Sequence, residues 1–145
     1  MKIYMDVCCL NRPFDNQTHN RVRREAVAIT DILVRCRSGI WTLAASEVIE
    51  FELSATRDRD KLSHMRELYS IARNRLVVTE VHKVRARILQ EHGLSFFDSL
   101  HLALAEASGQ DVFLTTDDKL FKQAGTANLD IRVANPVTWF MEVEQ

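Results

Sequence analysis

Among the 20 acidic residues of this 145-residue chain, Asp6, Glu52, Asp98 and Asp117 stand apart by their surroundings. Asp6 ends an apolar run that suits a buried strand, and Asp117 follows a second such run and the Thr115-Thr116 pair. Asp98 opens a helix that is apolar almost all round (Leu100, Leu102, Ala103, Leu104, Ala105, Ala107), where free N–H groups and the macrodipole favour an ionised carboxylate. A simple helix cap would also explain Asp98, but a carboxylate at the mouth of a buried helix facing strand ends asks for more. At about 100° per residue, Val48, Ile49, Phe51, Leu53 and Ala55 define an apolar arc with Glu52 near its middle; Glu47 and Glu50 fall outside it and read as a solvated face. Buried charge is costly unless paired or metal-bound, so Glu52 either meets a buried Arg or serves a site. Four carboxylates converging on one crevice repel one another unless a cation sits among them. Hard oxygen ligands without Cys or His suit Mg²⁺ or Mn²⁺. Such a site supports metal-assisted attack of water on a phosphodiester.

These carboxylates converge only if particular elements carry them. Residues 3–6 read as a strand and 11–19 as a polar, turn-rich link. From Asn20 a helix follows, with Val22, Ala26, Ile29, Leu33 and Cys36 at three- and four-residue spacing and Gly39 as its stop. Residues 40–45 are a second strand, and Ser46 is a natural N-cap for the helix after it. An apolar stripe covers 61–73, a strand 76–79, and a helix 81–92 closed by Gly93. Ser95 through Asp98 resembles a capping box, with Asp in place of the usual Glu, opening the helix at 99–108. Strands at 112–116 and 131–133 flank a short helix at 118–124, and Pro136 starts a terminal helix. Strands alternating with helices over short links specify a three-layer α/β fold, a mostly parallel sheet with helices on both faces. Ligands of such sheets sit outside the carboxyl ends of the strands, where Asp6 and Asp117 fall.

Composition narrows the class. The length suits one domain over residues 1–145, and 46% hydrophobic with 27% charged residues is ordinary globular usage. No apolar run approaches the length of a membrane span, and the N-terminus lacks the pattern of a signal peptide. Cys8, Cys9 and Cys36 are odd in number and lack CxxC spacing, which argues against a disulfide framework or zinc site and for reduced thiols in a cytoplasm. The formal charge of −1 excludes a generic basic nucleic-acid binder. It conceals an asymmetry: residues 12–87 hold 15 basic and 10 acidic groups, whereas 88–145 hold 3 and 9. The basic excess, mostly Arg, is available for phosphate contacts beside an acidic metal site.

In order and spacing, four segments resemble a PIN domain, the ribonuclease fold of many toxins from prokaryotic toxin–antitoxin pairs. They are Ile3-Tyr-Met-Asp6, Ala45-Ser46 through Glu52-Leu53, Phe97-Asp98-Ser99-Leu100-His101-Leu102-Ala103-Leu104-Ala105, and Phe113-Leu114-Thr115-Thr116-Asp117. The resemblance spans essentially the whole chain. It implies a five-stranded sheet in the order 3-2-1-4-5 and an acidic quartet of Asp6, Glu52, Asp98 and Asp117. Asp6, Asp98 and Asp117 would be the principal ligands of one or two Mg²⁺ or Mn²⁺ ions, and Glu52 a ligand or an orienter of the attacking water. It further implies an endoribonuclease leaving 5′-phosphate and 3′-hydroxyl ends, frequent homodimers and, for toxin members, an antitoxin protein as partner. The chain departs from the family after Asp6, where Val7 and Cys8 replace a Thr and an Asn or Ser. That removes a polar helper, for which Asn11 or Arg12 would compensate. Asp118 competes with Asp117 as fourth carboxylate, and register with Thr115-Thr116 favours Asp117.

Arg21 and Arg24, with Arg23, read either as a solvated helix face or as phosphate contacts, and Thr115 joins them as a candidate substrate contact. Cys8 and Cys9 read as packing. His101, one turn from Asp98, reads as a satisfied core histidine, and Trp41, Trp139 and the phenylalanines as core. A non-catalytic PIN-like module that binds nucleic acid or protein is the alternative. A haloacid-dehalogenase-type enzyme is disfavoured, since it wants a second Asp where this chain has Cys8.

Overall fold

The strand Lys2–Met5 (β1) is buried along Ile3, Tyr4 and Met5, and it runs down the middle of a five-stranded parallel sheet. The computed structural model describes residues 1–144. The other strands are Thr42–Ser46 (β2), Arg73–Leu76 (β3), Val112–Leu114 (β4) and Arg132–Ala134 (β5), in the order β3-β2-β1-β4-β5. In β1 and β4, buried on both faces, every inner residue is apolar, as a central parallel strand requires. Ile3, Tyr4 and Met5 pair with Val112, Phe113 and Leu114, and the Asp6 amide extends the ladder to Leu114 O (2.9 Å). The sheet order reverses direction at β1 and β4, so their carboxyl ends form the topological switch point where α/β folds bind ligands.

The helices are Val7–Asn11 (α1), Asn20–Arg37 (α2), Glu47–Ser54 (α3), Arg59–Tyr69 (α4), Glu80–Gln90 (α5), Phe96–Ala107 (α6), Asp118–Thr126 (α7) and Pro136–Val143 (α8), with a 3₁₀ turn at Arg12–Phe14. Ser46 caps α3, accepting the amides of Val48 and Ile49, and Ser95 caps α6, accepting that of Asp98. Asn135 caps α8 with Pro136 in its first turn. Trp41 packs edge-on against Trp139 at 5.1 Å, as expected of core aromatics. Among the described residues no helix is long and apolar enough to cross a membrane.

Between the first strand and the polar link lies α1, a helix of five residues, too short to show a period, which ends at Asn11, the first residue of the link. Two expectations need correction. The third strand occupies 73–76 rather than 76–79: it is an edge strand of mainly exposed polar residues, so the apolar run after it misplaces the signal. Glu47 and Glu50 are not a free solvated face. Glu47 Oε1 accepts the Val78 amide (2.6 Å), and Glu50 receives Arg75 Nε (2.9 Å) and the Tyr69 hydroxyl (2.8 Å), tying α3 to the β3 edge.

Candidate active site

Asp6 and Thr115 leave adjacent central strands, β1 and β4, at the switch point. Asp6 is only 6% exposed, and its Oδ2 accepts the Thr115 hydroxyl at 2.8 Å and the Cys8 thiol at 3.2 Å. Neither donor is a cation, and no Lys or Arg pairs with Asp6 among the described residues. Burial pushes its carboxyl well above the usual range, Cys8 adds to this, and His101 and Thr115 act the other way. Hydrogen bonds from Cys9, Thr115 and Thr116 draw the Cys8 thiol down to about 6 against the upward push of burial. The Cys8 thiol thus stands against Asp6 and Thr115, at the position where the family pattern has an Asn or Ser. Cys9 is buried with its thiol on Leu114 O (3.4 Å). Both lie in α1, which turns one toward the site and the other into the core.

Asp117 sits at the N-terminus of α7, accepting the amides of Lys119 and Leu120, while its own amide donates to Thr115 Oγ1 (3.1 Å). Asp118 points away and is held by Arg21 through two bonds of 2.7 and 2.8 Å. Asp98 is not the cap of α6; Ser95 is, and the Asp98 carboxylate is left for other work. Burial raises the Asp98 carboxyl, the nearby charges of Glu52 and Asp117 raise it further, and Ser95 and His101 oppose them. These effects place Asp98 within electrostatic reach of Glu52 and of Asp117, and the helix N-terminus does not overcome them. Glu52 is half-buried on the core side of α3, as its spacing indicates. Its partner is not an Arg: Oε1 lies 2.6 Å from His101 Nε2.

The quartet is arranged openly: among the described residues, no three Asp, Glu, His or Cys side chains are gathered closely enough to cage an ion. Mg²⁺ ordinarily keeps several waters and takes one or two carboxylates, so an open set of hard oxygens around an uncompensated Asp6 fits such an ion. A groove of about 380 Å³ opens beside Thr115 and Asp117, lined also by Phe121, Asn135 and Thr138. A second groove, between α2 and α4 at Leu33 and Leu68, lies away from the carboxylates.

The basic candidates are mostly engaged. Arg12 donates to Glu25 (2.9 Å) and Asp15 (3.2 Å), and Asn11 donates to Asp15 (3.1 Å). Arg21 reaches Glu25 and the Thr116 carbonyl (3.0 Å) as well as Asp118, which puts it at the crevice edge with its donors occupied. Arg24 is exposed on α2 beside Arg21. His101 is a fully buried, satisfied core histidine, as expected, but its partners are Tyr4 and Glu52. The phenylalanines divide. Phe113 is core, whereas Phe51, expected in the apolar arc, is 59% exposed and stacks on exposed Phe97 at 5.3 Å.

Comparison with known proteins agrees with this fold. The VapBC2 complex of Rickettsia felis, solved bound to a DNA fragment from its promoter, shares the fold at a TM-score of 0.58 and 14% identity, over 93% of this chain and 98% of that one. PAE2754 from Pyrobaculum aerophilum does so at 0.62 and 19% identity, over 99% and 90%. No curated protein matches the sequence. The PIN domain profile matches residues 3–126, and with that match over most of its length the chain belongs to the PIN domain family.

Proposed function

We propose that this chain is an endoribonuclease that hydrolyses RNA phosphodiester bonds with Mg²⁺ or Mn²⁺, and that it is the toxin of a toxin–antitoxin pair. The observation that carries the reading is Asp6: a buried carboxylate at the switch point with no cation among its partners. An anion so placed either keeps its proton or takes a cation. Membership of a family whose members are generally divalent-metal-dependent nucleases supports the second outcome.

Asp6, Asp98 and Asp117 would hold the ion. When bound, it supplies positive charge at the scissile phosphate and makes water a better nucleophile. The chain's own residues do the rest. Thr115 fixes Asp6 through one oxygen and leaves the other available. Glu52, half-exposed at the crevice, orients the attacking water. The groove beside Asp117 receives the RNA strand, with Arg24 and Arg21 on the adjoining surface that shares Asn135 with it, and Arg12 and Asn11 as further contacts. The three free cysteines suit a reducing cytoplasm. Likeness to the VapBC2 complex supports an antitoxin partner, and exposed apolar residues on α5 (Val81, Val84, Ile88) support a homodimer.

Incubation of the purified protein with a panel of RNAs and Mn²⁺ or Mg²⁺ tests the reading. Cleavage leaving 5′-phosphate ends, abolished by EDTA and by Asp98→Asn, is expected. Intact RNA throughout the panel with both ions would overturn it in favour of a non-catalytic binding module.

A further inference from the structure

One hydrogen-bond chain joins four elements, β1, β2, α3 and α6, beneath the crevice. Tyr4 Oη on β1 lies 2.9 Å from Ser46 Oγ and 2.5 Å from His101 Nδ1 on α6, and His101 Nε2 lies 2.6 Å from Glu52 Oε1 on α3. Tyr4, Ser46 and His101 are fully buried, and only the Glu52 side chain, 28% exposed, meets solvent. Packing fixes each ring: Tyr4 stacks on Phe113 at 5.3 Å and meets His101 edge-on at 5.5 Å. Ser46 is itself pinned, accepting the amides that begin α3, the helix that carries Glu52. The chain therefore closes a loop from the first turn of α3 to its second by way of the protein interior.

Stability alone gives no reason for this arrangement. Apolar packing of equal volume generally does as well as or better than a buried polar chain, which is tolerable only when every member is satisfied. The three buried members are all hydrogen-bonded, and the last bond ends on a carboxylate with three side-chain torsions to restrain. Among the described residues no hydrogen bond engages its other oxygen, Oε2. We propose that Tyr4 and His101 are positioning residues that lock the Glu52 carboxylate through Oε1 and present Oε2 to the reaction. The consequence for rate rests on the nuclease reading above; the lock itself does not.

Two measurements test this. In metal-free protein, ¹⁵N NMR of the His101 ring should show a protonated Nε2 whose shift moves in both Glu52→Ala and Tyr4→Phe; a ring indifferent to both overturns the proposal. In Mn²⁺-dependent cleavage, His101→Leu should lower kcat about 10–100-fold, as loss of an outer partner of a site residue does, with KM within about twofold. His101→Gln, which keeps a donor toward Glu52, should recover most of that loss even if the Leu variant folds poorly. In a Glu52→Ala background, His101→Leu should cost nothing further, and an undiminished loss there would assign His101 to general stability and overturn the proposal. If the wild-type protein cuts no RNA, the nuclease reading fails, while the ring shifts still decide the lock.

Discussion

The Thr115 hydroxyl donates to Asp6 Oδ2 at 2.8 Å while accepting the Asp117 amide at 3.1 Å, so one buried side chain sets two of the four acidic residues. Removing it should act on both. Thr115→Val keeps the volume, leaves Asp6 with the Cys8 thiol alone and orphans the Asp117 amide. Urea unfolding should show a loss of about 1–3 kcal/mol, the cost of unsatisfied buried polar groups. Mn²⁺-dependent cleavage should fall about 10–100-fold. Thr115→Ser, which restores the hydroxyl, should recover both; a Val variant as stable and active as wild type would deny Thr115 this role.

The raised Asp6 and Asp98 carboxyls carry a pH dependence of definite sign. Each holds its proton more tightly in the folded chain than in the unfolded one, so each costs stability as pH rises from the ordinary value of about 3.9 through the folded value. Glu106 works in the opposite sense. Although burial favours its protonation, Arg85 and the Asp130 amide hold it low, and its contribution disappears as pH falls. The Asp6 share is therefore read as wild type minus Asp6→Asn. In EDTA the variant should melt higher than wild type at pH 7, with the difference shrinking toward pH 4. Mn²⁺ should raise the wild-type melting temperature at pH 7 and leave Asp6→Asn nearly unmoved.

Signals carried by a local period were legible in the sequence, and those that depend on distant partners were not. Apolar runs marked β1 and β4, helical spacing marked α2, a capping signal before an all-round apolar run marked α6, and the position of Glu52 within an apolar arc marked it as facing inward. The five residues of α1 and the polar edge strand β3 offered no period to read. His101 gave no sign of its role because its partners lie 97 and 49 residues away, on β1 and α3. Cys8 looked like packing for the same reason: its proximity to Asp6 and Thr115 follows from α1 and from the pairing of β1 with β4. Arg12 and Arg21 looked free because Glu25, Asp15 and Asp118 meet them only in the fold.

Glu25 makes a further prediction. It is nearly fully buried on α2 and accepts Arg12 Nε (2.9 Å), Arg21 Nε (3.2 Å) and Asn135 Nδ2 (2.6 Å), linking α2 to the 3₁₀ turn and to the start of α8. Removing one member of a buried ion pair costs about 3–5 kcal/mol. Because both arginines are partly exposed and can rehydrate, Glu25→Ala should fall at or below the lower end of that range. The freed Arg12 and Arg21 should then bind phosphate more readily. RNA affinity, measured by fluorescence anisotropy without divalent ions, should rise even as the melting temperature drops. An unchanged affinity would place both arginines outside the RNA path.

The apolar face of α5 predicts self-association. Val81, Val84 and Ile88 follow three- and four-residue spacing along one face, and Val81 is 74% exposed, a second apolar face on a helix that already buries Ala86 and Leu89. The stripe alone spans only about 10 Å at 1.5 Å per residue, too little for the roughly 800 Å² per partner of a stable interface. Exposed Phe96 and Phe97, at the start of α6, and Phe51, stacked on Phe97, add apolar surface on the elements that carry Asp98 and Glu52. A second copy seated there would bury both the stripe and the aromatic cluster. Sedimentation velocity should therefore find a dimer at micromolar concentration. Val84→Asp, which puts a charge at the centre of the stripe, should yield a folded monomer. A wild-type monomer, or an Asp variant that remains dimeric, would take the interface off this face.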